Sequence, residues 1–241
     1  MDFSAKYFSS TKYGFFSIFI GITSKLVVLY ATFKYIPVEF FASSIVILSI
    51  YSFLLIFSEF GVSNAINSYE NVTTTFLNSI LTLNILLGLS FFFIGVVASL
   101  FLKTDNLFYF IGLFSSIPFF LANGFFNSYF QLYRLFKEQF VTQNLIREIS
   151  RILFLIIFLF VKKDFLGALI FPSALCEIGV CICSFYFYKD RFKFTVNKEI
   201  IESIKGFSTD LFIVKLFNFF TQNFIVFLSS AVGIKAGHVP K

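Results

Sequence analysis

Histidine and charged residues are both scarce in this chain. The one histidine, His238, lies near the end of the 241 residues, so catalysis that depends on a histidine base, a nucleophilic triad or a histidine-bound metal has almost nothing to use. Charged residues make up 13% of the sequence, whereas an ordinary soluble domain has about 25%. These shortages argue against a soluble enzyme, and no enzymatic activity is expected.

Apolar residues are correspondingly abundant in the sequence. They account for 58% of the chain, with 42 phenylalanines, no tryptophan and a mean hydropathy of +0.87. Such a chain cannot stay disordered in water. The net charge of +6 does not gather in one polar segment, as a nucleic-acid surface would require. The charges lie between apolar runs, and lipid is therefore the expected solvent.

Seven apolar stretches approach the length of about 20 residues that a helix needs to cross a bilayer. None alternates with the period of two that a membrane β-barrel requires. The predicted fold class is therefore all-α, a polytopic membrane helix bundle. The predicted spans are residues 13–33, 40–60, 76–102, 107–132, 143–161, 165–188 and 208–232.

The loops carry the signal for orientation. Nine Lys and Arg residues fall on the side of the N-terminus and six on the other side, and the positive-inside rule then predicts a cytoplasmic N-terminus. Lys25 interrupts the first apolar run, which has no cleavage site after it, so this run is expected to be an uncleaved span and not a signal peptide.

One segment has helical amphipathicity but is too polar to cross the membrane. In residues 197–206, Ile200, Ile201 and Ile204 share one side, Asn197 is placed to cap the helix and Gly206 to end it. We expect this helix to lie on the inner membrane surface. It divides the chain into a six-span lobe, residues 1–196, the interfacial helix, and the start of a second lobe, residues 207–241.

Several spans each have one polar face. Because an ionised group at a span centre costs about 2.5–3.5 kcal/mol on insertion scales, such groups are expected to face the bundle interior or a wet cavity. The charged candidates for binding an anionic substrate are Lys25, Arg147, Arg151 and Lys215. Glu177 is a candidate for charge balance or for binding a coupling ion. Uncharged candidates for lining the cavity are Asn144, Asn218 and Gln222, and span four has its own polar face, Asn123, Asn127, Gln131 and Arg134.

A purely structural role is the alternative interpretation for these residues. Asn and Ser are common where membrane helices pack together, and Arg147 has the alternative of pairing with Glu148 or reaching the inner interface. The charges could also pair with one another only to hold the bundle. Cys176, Cys181 and Cys183 lie in one apolar run without a histidine partner, so no metal or other cofactor is expected.

Four segments resemble bacterial polysaccharide flippases of the multidrug/oligosaccharidyl-lipid/polysaccharide exporter superfamily. They are FKYIPVEFFA at residues 33–42, FSEFGVSNAI at residues 57–66, LYRLFKEQFVTQNLIREISRI at residues 132–152, and residues 198–233. Two details depart from the family pattern: Ala42 replaces a usual glycine, and Pro37 comes one place early. The resemblance implies the first six-helix lobe and the seventh helix of a two-lobe transporter.

The resemblance also implies a function. Such a protein flips a lipid-linked oligosaccharide repeat unit across the bacterial inner membrane for surface polysaccharides such as O-antigen. Its partners would be the lipid bilayer, a polyprenyl-pyrophosphate-linked oligosaccharide and other polysaccharide-assembly membrane proteins, with no nucleic acid.

Because such transporters have two lobes, the 241-residue chain is expected to be a truncated and inactive form, with a homodimer as the less favoured account. The alternative functions are a membrane polymerase or glycosyltransferase, an inert membrane fragment, or a drug exporter.

Overall fold

The chain forms a bundle of long helices. The computed structural model describes residues 3–59, 66, 72–102, 107–188, 192–204, 209–210, 212–218 and 221. No strand occurs within these ranges, which confirms the all-α fold class. The α-helices are α1 (Phe3–Tyr35), α2 (Glu39–Glu59), α3 (Thr74–Leu102), α4 (Leu107–Phe114), α5 (Ile117–Leu132), α6 (Phe136–Gln139), α7 (Arg147–Ile156) and α8 (Phe165–Tyr188).

Among the described residues, four helical segments are long and apolar enough to cross a membrane. They are Thr11–Tyr35, Thr74–Val97, Leu107–Leu132 and Phe165–Tyr188, and they confirm four of the predicted spans. The predicted span 40–60 is helical as α2, and 143–161 lies inside a continuous helical stretch, residues 136–162. The predicted span 208–232 lies mostly outside the described residues, so the count of seven stays a prediction.

The fourth span is interrupted, contrary to the expectation of one uniform helix. A turn at Ser115 and Ser116 separates α4 from α5. Pro118 comes directly after the turn, in the first helical positions of α5, where its missing N–H leaves no backbone hydrogen bond unmade. Ser116 Oγ also lies 2.6 Å from Tyr51 Oη. The interruption is thereby tied to α2.

The fifth predicted span differs more from expectation. It starts earlier, at α6, and two π-helical segments, Phe140–Ile146 and Ile157–Lys162, flank α7. A π-helix pairs each residue with the fifth along the chain, and it is rare outside functional sites. Hydrophobic periodicity assumes 3.6 residues per turn and cannot detect this change.

The helix α8 lies at the centre of the bundle and α1 at its edge. In an apolar 18-residue stretch of each helix, 56% of the α8 residues but only 6% of the α1 residues are buried. α8 packs against α2, α4, α5 and α7, whereas α1 contacts the stretch from α6 to α7. The other side of α1 exposes large apolar side chains, as a lipid-facing surface does: Phe15, Ile18, Phe19, Ile22, Leu26 and Leu29.

The predicted amphipathic helix is present over residues 198–204. The Asn197 Oδ1 atom accepts the backbone N–H of Glu199 at 2.9 Å, which confirms the expected cap. Ile204 is buried, and Ile200 packs on the same apolar cluster, while Lys198 stays exposed. Gly206, the expected stop, lies outside the described residues. The location on the membrane surface and the division of the chain at this helix stay predictions.

Glycine sets the distance between α3 and α5. A Cβ added at Gly88 would lie 2.5 Å from the Cα of Pro118, a backbone atom that cannot move alone. Small residues allow membrane helices to approach this closely. At Gly21, on the open side of α1, an added Cβ would meet nothing within 4 Å.

We expect Gly88→Ala to force α3 and α5 apart and to lower the thermal unfolding midpoint of the detergent-solubilised protein. Overpacking of this kind costs about 1–3 kcal/mol. Gly21→Ala is the matched control and should leave the midpoint unchanged or raise it slightly, because alanine favours a helix over glycine. Equal midpoints for the two variants would contradict the close packing of α3 on α5.

Candidate functional site

An ion pair joins the fifth and sixth spans. Arg147 Nη2 donates to Glu177 Oε2 at 3.0 Å, and the two side chains are 27% and 9% exposed. Asn123 Nδ2 from α5 donates to the same Oε2 at 2.8 Å and to the backbone oxygen of Glu177 at 2.8 Å. The carboxylate therefore connects α5, α7 and α8 at one point, where it has the partners that a buried charge requires.

Carboxamides extend this network. Gln143 Oε1 accepts from Arg147 Nη2 at 3.2 Å, and its Nε2 donates to Ser184 Oγ at 3.2 Å. Closer to the start of the helix, Gln139 Nε2 donates to Asn127 Oδ1 at 2.8 Å. The polar faces of spans four, five and six therefore meet one another inside the bundle.

A second ion pair lies within α7, and a serine hydroxyl of α1 bonds to its carboxylate. Arg151 Nη1 donates to Glu148 Oε2 at 2.8 Å and to Oε1 at 3.1 Å. Ser24 Oγ donates to the same Oε2 at 2.6 Å, and Ser24 is buried. The alternative pairing of Arg147 with Glu148 is therefore wrong, because neighbouring helical residues point about 100° apart and each of these two finds its partner elsewhere.

A polar cavity of about 400 Å³ lies beside the first ion pair, between α1, α5 and the start of the fifth span. Its size falls within the range of about 300–1,000 Å³ that is typical of small-molecule sites. Most of its walls are side-chain amides and hydroxyls. The lining residues are Ser17, Phe120, Asn123, Gly124, Asn127, Gln139, Gln143, Asn144 and Arg147.

The π-helical segment explains why the fifth span has so many lining residues. In a regular α-helix Gln139 and Asn144, five positions apart, would point about 140° apart. Within Phe140–Ile146 the hydrogen bonds run to the fifth residue, which turns positions five apart closer to one face than an α-helix does. Gln139, Gln143, Asn144 and Arg147 therefore all reach one cavity.

The family model described as "Polysaccharide biosynthesis protein" matches residues 11–236, nearly the whole chain. The chain belongs to this family. No curated protein and no solved structure matches it. The resemblance found in the sequence is confirmed at the level of the family, and a role in polysaccharide biosynthesis follows from it. With its apolar spans, this polysaccharide biosynthesis protein is a multi-pass membrane protein.

The structure of this family member brings some of the predicted site residues together. Arg147 and Asn144 line the cavity, and Glu177 lies directly behind Arg147. Arg151 is turned to Glu148 and does not line it.

Other predicted site residues lie elsewhere. Lys25 is on the exposed side of α1, and Lys215, half-buried, and Asn218, exposed, are in helical residues 212–218. Gln222 lies outside the described residues. A part for these residues in substrate binding stays a prediction.

Sequence reasoning missed the side of α1 that faces the site. Ser17 lines the cavity and Ser24 bonds Glu148, whereas the charge of Lys25 drew attention to the adjacent face. Small residues at 17, 24 and 31 repeat every seven positions, two helical turns, and this pattern is typical of a membrane packing face. Ala31 does pack against the apolar cluster that contains Leu155.

Charge is balanced within the described polar network. Arg147 is matched by Glu177 and Arg151 by Glu148, so these four side chains together carry no net charge. Pairing of charges with one another, the alternative interpretation, is present at both arginines, and a part for them in binding an anionic substrate stays a prediction. Cys176, Cys181 and Cys183 are free thiols, and Cys176 donates to the backbone oxygen of Ser173.

We expect Glu177→Ala alone to destabilise the protein by about 3–5 kcal/mol, because it leaves a mostly buried guanidinium without its counter-charge. The double variant Arg147→Ala/Glu177→Ala should be closer to the wild type than the single variant is. Thermal unfolding in detergent and the protein level in membranes measure both effects. Additive losses in a double-mutant cycle would contradict the pairing.

Proposed function

We propose that this protein translocates a lipid-linked oligosaccharide repeat unit across the membrane. The observation that carries the proposal is the polar cavity inside a bundle whose other surfaces are largely apolar. Polar groups in the hydrocarbon region are costly and mark substrate pathways when they line a cavity. Family membership supplies the chemical context, since the chain acts in polysaccharide biosynthesis.

The chemistry of the lining residues favours transport over catalysis. Among the described lining residues are amides, a serine hydroxyl, a guanidinium and a phenyl ring, and none of these groups exchanges a proton readily near neutral pH. A glycosyltransferase or polymerase needs a positioned acid or base beside the reacting sugar. The two carboxylates nearby, Glu148 and Glu177, are each held by an arginine.

Lys25 adds support from outside the cavity. It is exposed near the middle of the span Thr11–Tyr35, and no hydrogen bond or ion pair joins it to the other described residues. Its neighbours on this side of α1 include Ile18 and Leu29 of the lipid-facing surface, so a lysine here costs about 2.5–3.5 kcal/mol if only lipid surrounds it. We propose that it faces the aqueous path along which the anionic pyrophosphate of the carrier lipid moves.

The remaining parts of the proposal follow from this activity. The protein lies in the inner membrane of a bacterium with its N-terminus in the cytoplasm. Its partners are the bilayer, a polyprenyl-pyrophosphate-linked oligosaccharide and other membrane proteins of polysaccharide assembly. It catalyses no covalent reaction.

Deletion of the gene tests the proposal. We expect the deletion strain to lose its surface polysaccharide and to accumulate the complete lipid-linked repeat unit on the cytoplasmic side, because assembly of the unit precedes its movement. The measurements are surface polysaccharide by immunoblot and periplasmic accessibility of the lipid-linked unit to an added glycosidase. Re-expression of the gene is the control.

Two outcomes would contradict the proposal. An incomplete repeat unit in the deletion strain would indicate a glycosyltransferase. A complete unit that reaches the periplasm but is not joined into chains would indicate a polymerase.

A further inference from the structure

The cavity between α1, α5 and the start of the fifth span contains polar groups that the protein itself does not satisfy. The side chains of Ser17 and Asn144 line the cavity and make no hydrogen bond to the other described residues. Because polar groups within a membrane bundle are nearly always paired, an occupant of the cavity is expected to supply partners for these two side chains.

These two side chains define the chemistry of that occupant. The Ser17 hydroxyl donates and accepts hydrogen bonds, and the Asn144 carboxamide presents both donors and an acceptor. A phosphate oxygen cannot donate and a metal cation cannot accept. A hydroxyl group does both.

Charge leads to the same class of ligand. The guanidinium of Arg147 is already 3.0 Å from a carboxylate oxygen, and no other residue that lines the cavity is charged. An anion or a cation entering here would lose part of its hydration and find no free counter-charge on the described walls, which is unfavourable. The occupant is therefore neutral and polar.

The lining amides fit a sugar. Each carboxamide presents donors and an acceptor side by side, an arrangement that matches two neighbouring hydroxyls on a sugar ring. Five such side chains surround the cavity, together with the ring of Phe120, which offers an apolar surface to the C–H face of a sugar. The volume of about 400 Å³ is within the range of sites that enclose a small molecule.

We infer that this cavity binds a neutral sugar ring of the transported substrate, with Ser17 and Asn144 as hydrogen-bonding partners and Phe120 as the packing surface. This inference rests on the proposed translocation of a lipid-linked oligosaccharide. It adds a place inside the first lobe where the sugar is recognised apart from the pyrophosphate.

The absence of tryptophan from the chain makes a direct binding test possible. Phe120→Trp places one fluorophore in the cavity, and Phe93→Trp, at a position 62% exposed on α3, is the control reporter. The purified full chain in detergent is titrated with methyl glycosides of a hexose, an N-acetylhexosamine and a 6-deoxyhexose, and with inorganic pyrophosphate.

We expect at least one glycoside to change the Phe120→Trp emission in a saturable manner, with no response from Phe93→Trp or to pyrophosphate. Adding Asn144→Ala should raise the half-saturating concentration about tenfold, as the loss of one or two hydrogen bonds predicts. Gln131→Ala, an exposed amide of α5 outside the cavity, is the matched control and should leave it unchanged.

A saturable response to pyrophosphate and not to the glycosides would overturn the inference in favour of an anion site. No response to any of the three glycosides would overturn it as well. Because the tryptophan could disturb the cavity, the thermal midpoint of the wild-type chain is measured with the same compounds. A ligand that binds the folded state raises this midpoint, and Asn144→Ala should reduce that rise.

The same variant separates this inference from the proposed function. In the deletion strain, the gene with Asn144→Ala should give a normal protein level but less surface polysaccharide than the wild-type gene. Full transport by Asn144→Ala would refute the sugar site and leave the translocation proposal standing. An unaffected amount of surface polysaccharide in the deletion strain would refute translocation. The fluorescence titration in detergent would still show whether the cavity binds a sugar.

Discussion

The ion pair between Arg147 and Glu177, with Asn123 as its third member, is the constraint on which the interior of this protein depends. A bilayer supplies no water, so a charged side chain in a span must find its partners within the protein or in a wet cavity. Breaking such a pair costs more than the pair itself contributes, because a lone buried charge remains. The network therefore fixes how α5, α7 and α8 meet, and the central position of α8 follows from it.

The cavity is a consequence of the same arrangement. The positive charge of Arg147 is balanced by Glu177, and the Arg147 Nε–H has no partner in the described chain. The π-helical segment places the amides of Gln143 and Asn144 on the wall of the same cavity. The site is polar but carries no net charge on its described walls and the carboxylate behind them. Such a site suits a hydroxylated ligand better than a phosphate. An exposed cation such as Lys25 would then serve the charged part of a lipid-linked substrate, so that the two chemical halves of one substrate meet different surfaces.

Much of the fold is predictable from hydrophobic runs alone. The apolar stretches give four membrane-crossing helices close to their predicted limits, and the cap at Asn197 follows from its residue type and position. The π-helical segments are not predictable from a period of 3.6 residues. The turn at Ser115 depends on the position of a single proline, Pro118, which hydrophobic periodicity does not register. Composition shows that a helix is present but carries little information about such interruptions.

The site is less predictable because it depends on pairs far apart in sequence. Arg147 and Glu177 are 30 residues apart, and a list of charges without their partners suggests a cationic interior. On α1 the uncharged Ser24 faces the bundle interior and bonds Glu148, whereas the charged Lys25 is the next residue and lies on another side of the helix. A one-residue shift on a helix rotates a side chain by about 100°, so charge alone identifies the helix but not the face.

The central claim, that the cavity beside Arg147 is neutral, can be tested by the reactivity of single cysteines. With Cys176, Cys181 and Cys183 replaced by alanine, Asn144→Cys and Ser17→Cys are labelled with positively and negatively charged methanethiosulfonate reagents at low salt. After correction for the rates with a free thiol, the account predicts a ratio of the two labelling rates close to one at both positions. A strong preference for the negatively charged reagent would show a cationic cavity and contradict the account.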